Sequence, residues 1–276
     1  MTQNRSSAVM QQRRDKAKAS LDDFPTPPWA TRAVIRHAIV PRVRAAGGCS
    51  LGFGGQTAAD PCCNRGHMVR PLLDAFPRVL ATDIADYSGD PRRAVLGDSP
   101  LVHRFEPDGV ADFLLPSYEA TFPRAGDVDW FFFNPPYKLA LPFVLKAREL
   151  ARVGVAAFVR VAFVEGQERF QQLFEFHPPS FIAWFAERVT LLEGVLRDPD
   201  VEFWNLKAND GKGGWQKPAS ATAYCWMIWL RDGQRLPDVW IPPCRLQLTR
   251  PGDYPVNPDE RGVFTPPAAA GQEALL

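Results

Sequence analysis

Residues 129–137 read Asp-Trp-Phe-Phe-Phe-Asn-Pro-Pro-Tyr, and this run limits the fold more than any other. An apolar segment with aromatic residues on both faces predicts a strand over Val128–Phe133 inside a parallel sheet, covered on both sides. It must stop at Asn134, because Pro135 and Pro136 cannot donate ladder hydrogen bonds. The chain therefore delivers Asn134, Pro135, Pro136 and Tyr137 to the carboxyl end of a buried strand, where open α/β sheets hold ligands.

The flanking sequence alternates in kind. A helix is expected from Pro27-Pro28, capped by Thr26, to about Val40, with Pro41 ending it. Strands are expected at Ala58–Cys62, Arg78–Thr82 and Ala111–Leu115. A helix over His67–Phe76 separates the first two. Beyond Tyr137, a helix over Leu139–Ala151 precedes a strand over Val153–Ala162. A helix over Gln167–Phe176 and strands at Phe181–Phe185 and Ala221–Trp229 follow. Strands alternating with helices imply an α/β fold, a mostly parallel sheet of seven strands with helices on both faces. The 276 residues suffice for one such domain with appended segments. That divides the chain into a basic, disordered 1–20, a domain over 21–249 and a flexible tail rich in Pro and Ala over 250–276. Within the domain, about 198–221 is a long Gly-rich insertion carrying Trp204, Lys212 and Trp215.

Composition narrows the partners. A net charge of +1 gives no global pull toward polyanions, so a nucleic-acid surface would have to be a local patch. Lys207, Lys212 and Lys217 in the insertion, and Arg13, Arg14, Lys16 and Lys18 near the start, are candidates. Five cysteines without a C-x-x-C pair suggest neither zinc nor a disulfide framework, and four scattered histidines suggest no metal site. The N-terminus lacks the apolar core of a signal peptide, and no apolar run is long enough to span a bilayer. A cytoplasmic protein without membrane or metal partner is the expectation, its oligomeric state open.

The residues after the buried strand suit one kind of chemistry. An exocyclic amino group is a poor nucleophile because its lone pair is delocalised into the ring. Accepting both amino hydrogens, on the Asn134 side-chain oxygen and the Pro135 carbonyl, would favour a pyramidal nitrogen and free the lone pair. Tyr137 could stack on a base swung out of a duplex. The plain alternative is a turn, since Asn and Pro are common turn residues. Upstream, Asp60-Pro61-Cys62-Cys63-Asn64-Arg65-Gly66 links a strand to a helix. Gly66 would let the backbone approach a ligand, and Asp83 at the next strand end could accept ribose hydroxyl protons.

Together, F-x-T-P-P at 24–28, D-P-C-C-x-x-G-H-M at 60–68, T-D-I at 82–84, A-D-F-L at 111–114 and N-P-P-Y resemble the amino-group DNA methyltransferases. The likeness is strongest to adenine-N6 enzymes of phage and prophage type, and spans about Phe24 to Trp229. It implies a Rossmann-like class I methyltransferase, an enzyme with S-adenosylmethionine as cofactor and a flipped adenine in DNA as target, working in a bacterial or phage-infected cell. Thr26 and Pro27 would cover the methionine moiety, and the turn from Asp60 through Pro61 and Cys62 to Gly66 would carry the cofactor. Asp83 and Ile84 would hold ribose and adenine, Asp112 and Phe113 would flank the cofactor's adenine ring, and Asn134–Tyr137 would form the catalytic loop. Arg160–Gly166 and Arg188-Val189-Thr190 also look like this group. The sequence departs from it at Asn64, where the first glycine of the cofactor turn usually stands, and at Thr190-Leu191-Leu192, where an aromatic often follows. Trp204, Lys212 and Trp215 are candidates for substrate contact, or for pinning the insertion to the body. Cytosine N4 in DNA, adenine N6 in RNA, a protein glutamine amide and a catalytically silent binding relative remain alternatives.

Overall fold

The computed structural model describes residues 22–45, 53–97, 103–122, 127–205 and 208–254. In chain order the strands are β1 (Thr57–Asp60), β2 (Arg78–Asp83), β3 (Val95–Leu96), β4 (His103–Arg104), β5 (Gly109–Val110) and β6 (Trp130–Phe133). They continue as β7 (Gly154–Arg160), β8 (Phe181–Phe185), β9 (Phe203–Asn205), β10 (Gly214–Gln216), β11 (Tyr224–Leu230) and β12 (Val239–Ile241). Eight of them form one sheet in the order β12-β8-β11-β7-β6-β1-β2-β5. β11 runs antiparallel to both of its neighbours, and the other pairs are parallel. This is the expected Rossmann-like α/β sheet with one strand more than the seven anticipated. β12 adds beside β8 at the edge, from a stretch the sequence reading left unassigned.

The aromatic run explains the two-sided core. Trp130 and Phe132 join one apolar cluster, Phe131 and Phe133 the other, and all four are wholly buried. This is the period-two alternation of a strand with both faces covered. The first face is roofed by Trp29, Val34 and Ile39 of the N-terminal helix and by Leu72 of the helix Val69–Ala75. Leu141, Val144 and Ala147 of the helix Ala140–Leu150 close the second.

Four expectations need correction. The N-terminal helix does not stop at Pro41: Pro28–Ala33 passes through a π-helical stretch, Val34–Ile39, into Val40–Ala45. The Val40 N–H reaches back to the Ile35 carbonyl, and Pro41 then falls in the first turn of the last segment, where no N–H is needed. Nor does Thr26 cap this helix. Pro27 holds the cap position with no side-chain hydrogen bond. The strand expected at Ala111–Leu115 forms earlier, at β5, because the Asp112 side chain accepts the Leu114 N–H and turns the chain. The insertion, read as an irregular loop, holds the antiparallel ribbon β9–β10, with Trp204 opposite Trp215.

The proposed tail boundary at 250 falls inside packed structure. Buried Asp253 accepts from both terminal nitrogens of Arg32, at 2.6 and 3.0 Å, and from the Arg250 N–H at 2.8 Å. Arg70 lies 3.5 Å from the same carboxylate. Residues 1–20, Lys207 and the tail beyond 254 lie outside the described residues. Asp253→Ala should take the buried carboxylate from Arg32 and Arg70, leaving Arg32 the Leu248 carbonyl and Asp74 and Arg70 the Pro251 carbonyl, and lower the unfolding free energy by about 3–5 kcal/mol. Urea denaturation of the variant against wild type checks this.

Candidate active site at the carboxyl ends of β1, β2 and β6

The carboxyl ends of β1, β2 and β6 open into a cavity of about 870 Å³. That is within the usual range for a site that encloses a small organic ligand. One wall is the turn after β1. Asp60, fully buried, accepts the Cys62 N–H at 3.2 Å, and the Cys63 N–H donates to the Thr82 carbonyl at 2.9 Å. Asn64 adopts the left-handed backbone at φ 50°, a conformation asparagine tolerates better than most residues. Its Oδ1 accepts the Arg65 N–H at 2.7 Å, and its own N–H donates to Asp83 Oδ2 at 2.8 Å. Arg65, also buried, pairs with Asp90 at 2.7 Å and with Asp23 at 2.9 Å, while Asn64 Nδ2 donates to Asp23 Oδ1 at 2.7 Å. The segment from Asp22 to Thr26 is thereby strapped across the turn.

Burial raises Asp60 well above the ordinary carboxylate range, and the charge of Asp83 adds to it. Asp83 is raised by burial too, against the opposing pull of the backbone N–H groups of Ala85, Asn64 and Ile84. Burial pushes the Cys62 and Cys63 thiols up and lowers His67 to about 4, so at neutral pH all three are uncharged.

Gly66 sits at φ 80°, and a Cβ there would collide with the Phe105 ring. The glycine is required by packing against Phe105. It does not line the cavity, contrary to its expected role in approaching a ligand.

The second wall is the loop after β6. Asn134 Nδ2 donates to the Phe24 carbonyl at 2.9 Å and to Thr26 Oγ1 at 3.0 Å. A carbonyl oxygen can only accept, so the amide orientation is fixed, and Oδ1 is left as an acceptor with no donor among the described residues. No described donor reaches the Pro135 carbonyl either, whereas the Asn134 carbonyl takes the Cys62 thiol at 3.4 Å and that of Pro136 takes the Leu139 N–H.

Tyr137 is less open than expected. Its hydroxyl pairs with that of Tyr224 at 2.9 Å, and its N–H donates to Asp22 at 3.2 Å. Burial, then Tyr224, raise its pKa. Phe24 meets the ring at 5.2 Å, tilted by 45°, and the Arg160 guanidinium carbon lies 3.2 Å from the ring centroid. Arg160 has no carboxylate partner among the described residues, and its Nε is buried without a hydrogen-bond partner. Such a cation–π contact contributes about 0.5–2 kcal/mol, and an orphaned buried donor costs about 1–3 kcal/mol. The Arg160 side chain also hydrogen-bonds the Tyr137 hydroxyl, which lowers that group's pKa against the two raising effects.

The cavity brings together Thr26, Asp60, Pro61, Cys62, Asp83, Ile84, Asp112, Phe113, Asn134, Pro136 and Tyr137 of the residues singled out in the sequence. Pro27 and Pro135 do not line it. Trp204, Lys212 and Trp215 lie on the β9–β10 ribbon, outside its lining, where the two indoles meet edge to face at 5.7 Å. The sequence reading missed Asp22, Phe24, Lys138, Arg160 and Glu193 as lining residues. Phe24 and Arg160 were visible only as members of motifs.

No protein-family profile matches the chain, and no curated protein does. Several solved structures resemble it. A predicted O-methyltransferase from Agrobacterium tumefaciens aligns at 12% identity and TM-score 0.38, over 68% of this chain and 79% of its own. A dimethyladenosine transferase from Plasmodium falciparum aligns at 12% and 0.35, over 74% and 62%. A Listeria monocytogenes protein assigned to the class I S-adenosylmethionine-dependent methyltransferases aligns at 10% and 0.41, over 89% and 72%. At scores this low the likeness decides nothing about the reaction.

A carboxylate whose pKa is raised by folding is costly in its ionised form. The cost of Asp60 grows as pH rises through its folded value and vanishes below its unfolded value near 3.8. Asp60→Asn keeps the acceptor for Cys62 and removes the charge. Its ligand-free thermal midpoint should exceed that of wild type at pH 7, with the gap closing as pH falls toward 4. Calorimetric scans across that range measure it, and a variant less stable at pH 7 would contradict the assignment.

Proposed function

We propose that the chain is an S-adenosylmethionine-dependent methyltransferase acting on the exocyclic N6 amino group of adenine in DNA. The observation that carries this reading is the clamped carboxamide of Asn134, whose Oδ1 is free at a strand end in a cavity shared with Asp60 and Asp83. The residues present fit the cofactor. Asp83 keeps lone pairs for ribose hydroxyls, and Ile84 and Phe113 offer apolar faces for an adenine ring. When bound, the cofactor would supply an electrophilic sulfonium methyl, with the sulfur keeping the electron pair of its bond and the amino proton leaving to water.

The protein's own part is orientation. Asn134 Oδ1 and the Pro135 carbonyl accept the two amino hydrogens and aim the lone pair, an interaction that strengthens as the nitrogen becomes positive. Neither group titrates near neutral pH. Lys138 and Arg160 at the same cavity lack carboxylate partners among the described residues, which favours a phosphate-bearing target. Exposed Trp215 and Lys212 on the ribbon would touch the duplex outside the target pocket.

Expression in a methylation-free host, followed by sequencing that reports modified bases, tests the reading. N6-methyladenine in a defined context is the expected result, and N4-methylcytosine or no modified base would overturn it. Asn134→Ala should retain cofactor binding by calorimetry while methyl transfer falls at least about a hundredfold.

A further inference from the structure

We propose that Tyr224 is a positioning residue for methyl transfer, acting through the hydroxyl of Tyr137 to fix the far end of the loop that receives the target amino group. The inference rests on the methyl-transfer reading above and adds to it a residue from β11, two places from β6 in the sheet.

The two acceptors on that loop are held differently. The Asn134 side chain is clamped by the Phe24 carbonyl and the Thr26 hydroxyl, which set its orientation. No described donor holds the Pro135 carbonyl. Its direction depends on the path of the chain from Asn134 to the point where the loop is next tied down. Pro135 and Pro136 confine φ along that path, so an anchor at Tyr137 settles most of what remains.

Tyr137 is tied through both its backbone and its side chain. Its N–H donates to Asp22 at 3.2 Å. Its hydroxyl pairs with that of Tyr224 at 2.9 Å and accepts from the Arg160 guanidinium. A hydroxyl has one proton to give and two lone pairs, so it can serve both neighbours. The neighbours are unequal. Arg160 reaches the hydroxyl through a long chain of rotatable bonds. Tyr224 is buried, opens β11 opposite Arg160, and stacks on Phe158 of β7 at 5.0 Å and 7°. Phe158 in turn meets Trp226 and Phe185 in the core. The Tyr224 oxygen is therefore the fixed point, and one hydroxyl pair carries the position of the sheet to the loop.

Tyr224 does not line the cavity, so it acts on the reaction through Tyr137 alone. Hydrogen bonds that aim the amino lone pair gain their strength in the transition state, where a small misplacement is costly. The effect belongs to kcat and leaves affinity aside.

The test measures steady-state methyl transfer by full-length wild type, Tyr224→Phe, Tyr137→Phe and the double variant, on a duplex carrying the context found by sequencing. Tyr224→Phe keeps the ring on Phe158 and removes only the hydroxyl. Its kcat should fall about three- to tenfold, as for loss of one neutral hydrogen bond. KM for the duplex and calorimetric affinity for S-adenosylhomocysteine should stay within about twofold of wild type. On the Tyr137→Phe background, adding Tyr224→Phe should change kcat less than about twofold, because the bond is already gone. Normal kcat in Tyr224→Phe, or equal losses on both backgrounds, would overturn the proposal and leave the methyltransferase reading standing. A fall in cofactor affinity as large as that in kcat would make Tyr224 a merely structural residue, and would overturn it too. Absence of any methylated base with wild type would overturn that reading, and this proposal with it.

Discussion

Everything at the site follows from where strand β6 must end. Four aromatic residues are buried on alternating faces, so the strand cannot shift register without turning each of them to the opposite side of the sheet. Two prolines then remove the donors that would extend the ladder. Asn134 is consequently the first side chain beyond a rigid platform, and its position is determined by the core. Its orientation comes from elsewhere, through hydrogen bonds to residues 108 and 110 positions earlier in the chain.

Those earlier residues are themselves held by what first looks like a defect. Asn64 and Arg65 stand where the resemblance leads one to expect a more flexible, glycine-led turn. Asparagine supplies the left-handed backbone and satisfies the next N–H with its own oxygen. Both side chains then grip Asp23, and the buried Arg65 also ties in Asp90. The substitution exchanges the freedom of glycine for two extra anchors on the strap that carries Phe24 and Thr26. The turn and the loop after β6 are thus mechanically one unit.

Much of this was legible in the chain itself. The aromatic strand, its proline stop and the order of strand ends around Asp60, Asp83 and Asn134 needed only local rules. What escaped depended on distant contacts. Thr26 looked like a helix cap because threonine usually is one, and only the folded chain shows its hydroxyl spent on Asn134. Gly66 looked like a ligand contact, because a sequence cannot reveal the Phe105 ring stacked against it. Pro41 looked like a helix stop, which a π-helical stretch circumvents. Arg160 was visible only as the first residue of a motif, since its partner, the Tyr137 ring, comes from a neighbouring strand's loop.

The paired thiols of Cys62 and Cys63 have a consequence for the life of the protein in an oxidising moment. Sulfur reacts with peroxides and alkylating agents as the thiolate, and in the folded turn burial and two neighbouring carboxylates suppress that form. Cys62, although it lines the cavity, therefore reacts slowly, while the buried Cys63 is screened as well. Cys62 donates to the backbone carbonyl of Asn134, so a reagent that does mark it also loosens the loop bearing the carboxamide. Oxidation of one sulfur would thus be felt at both walls of the cavity.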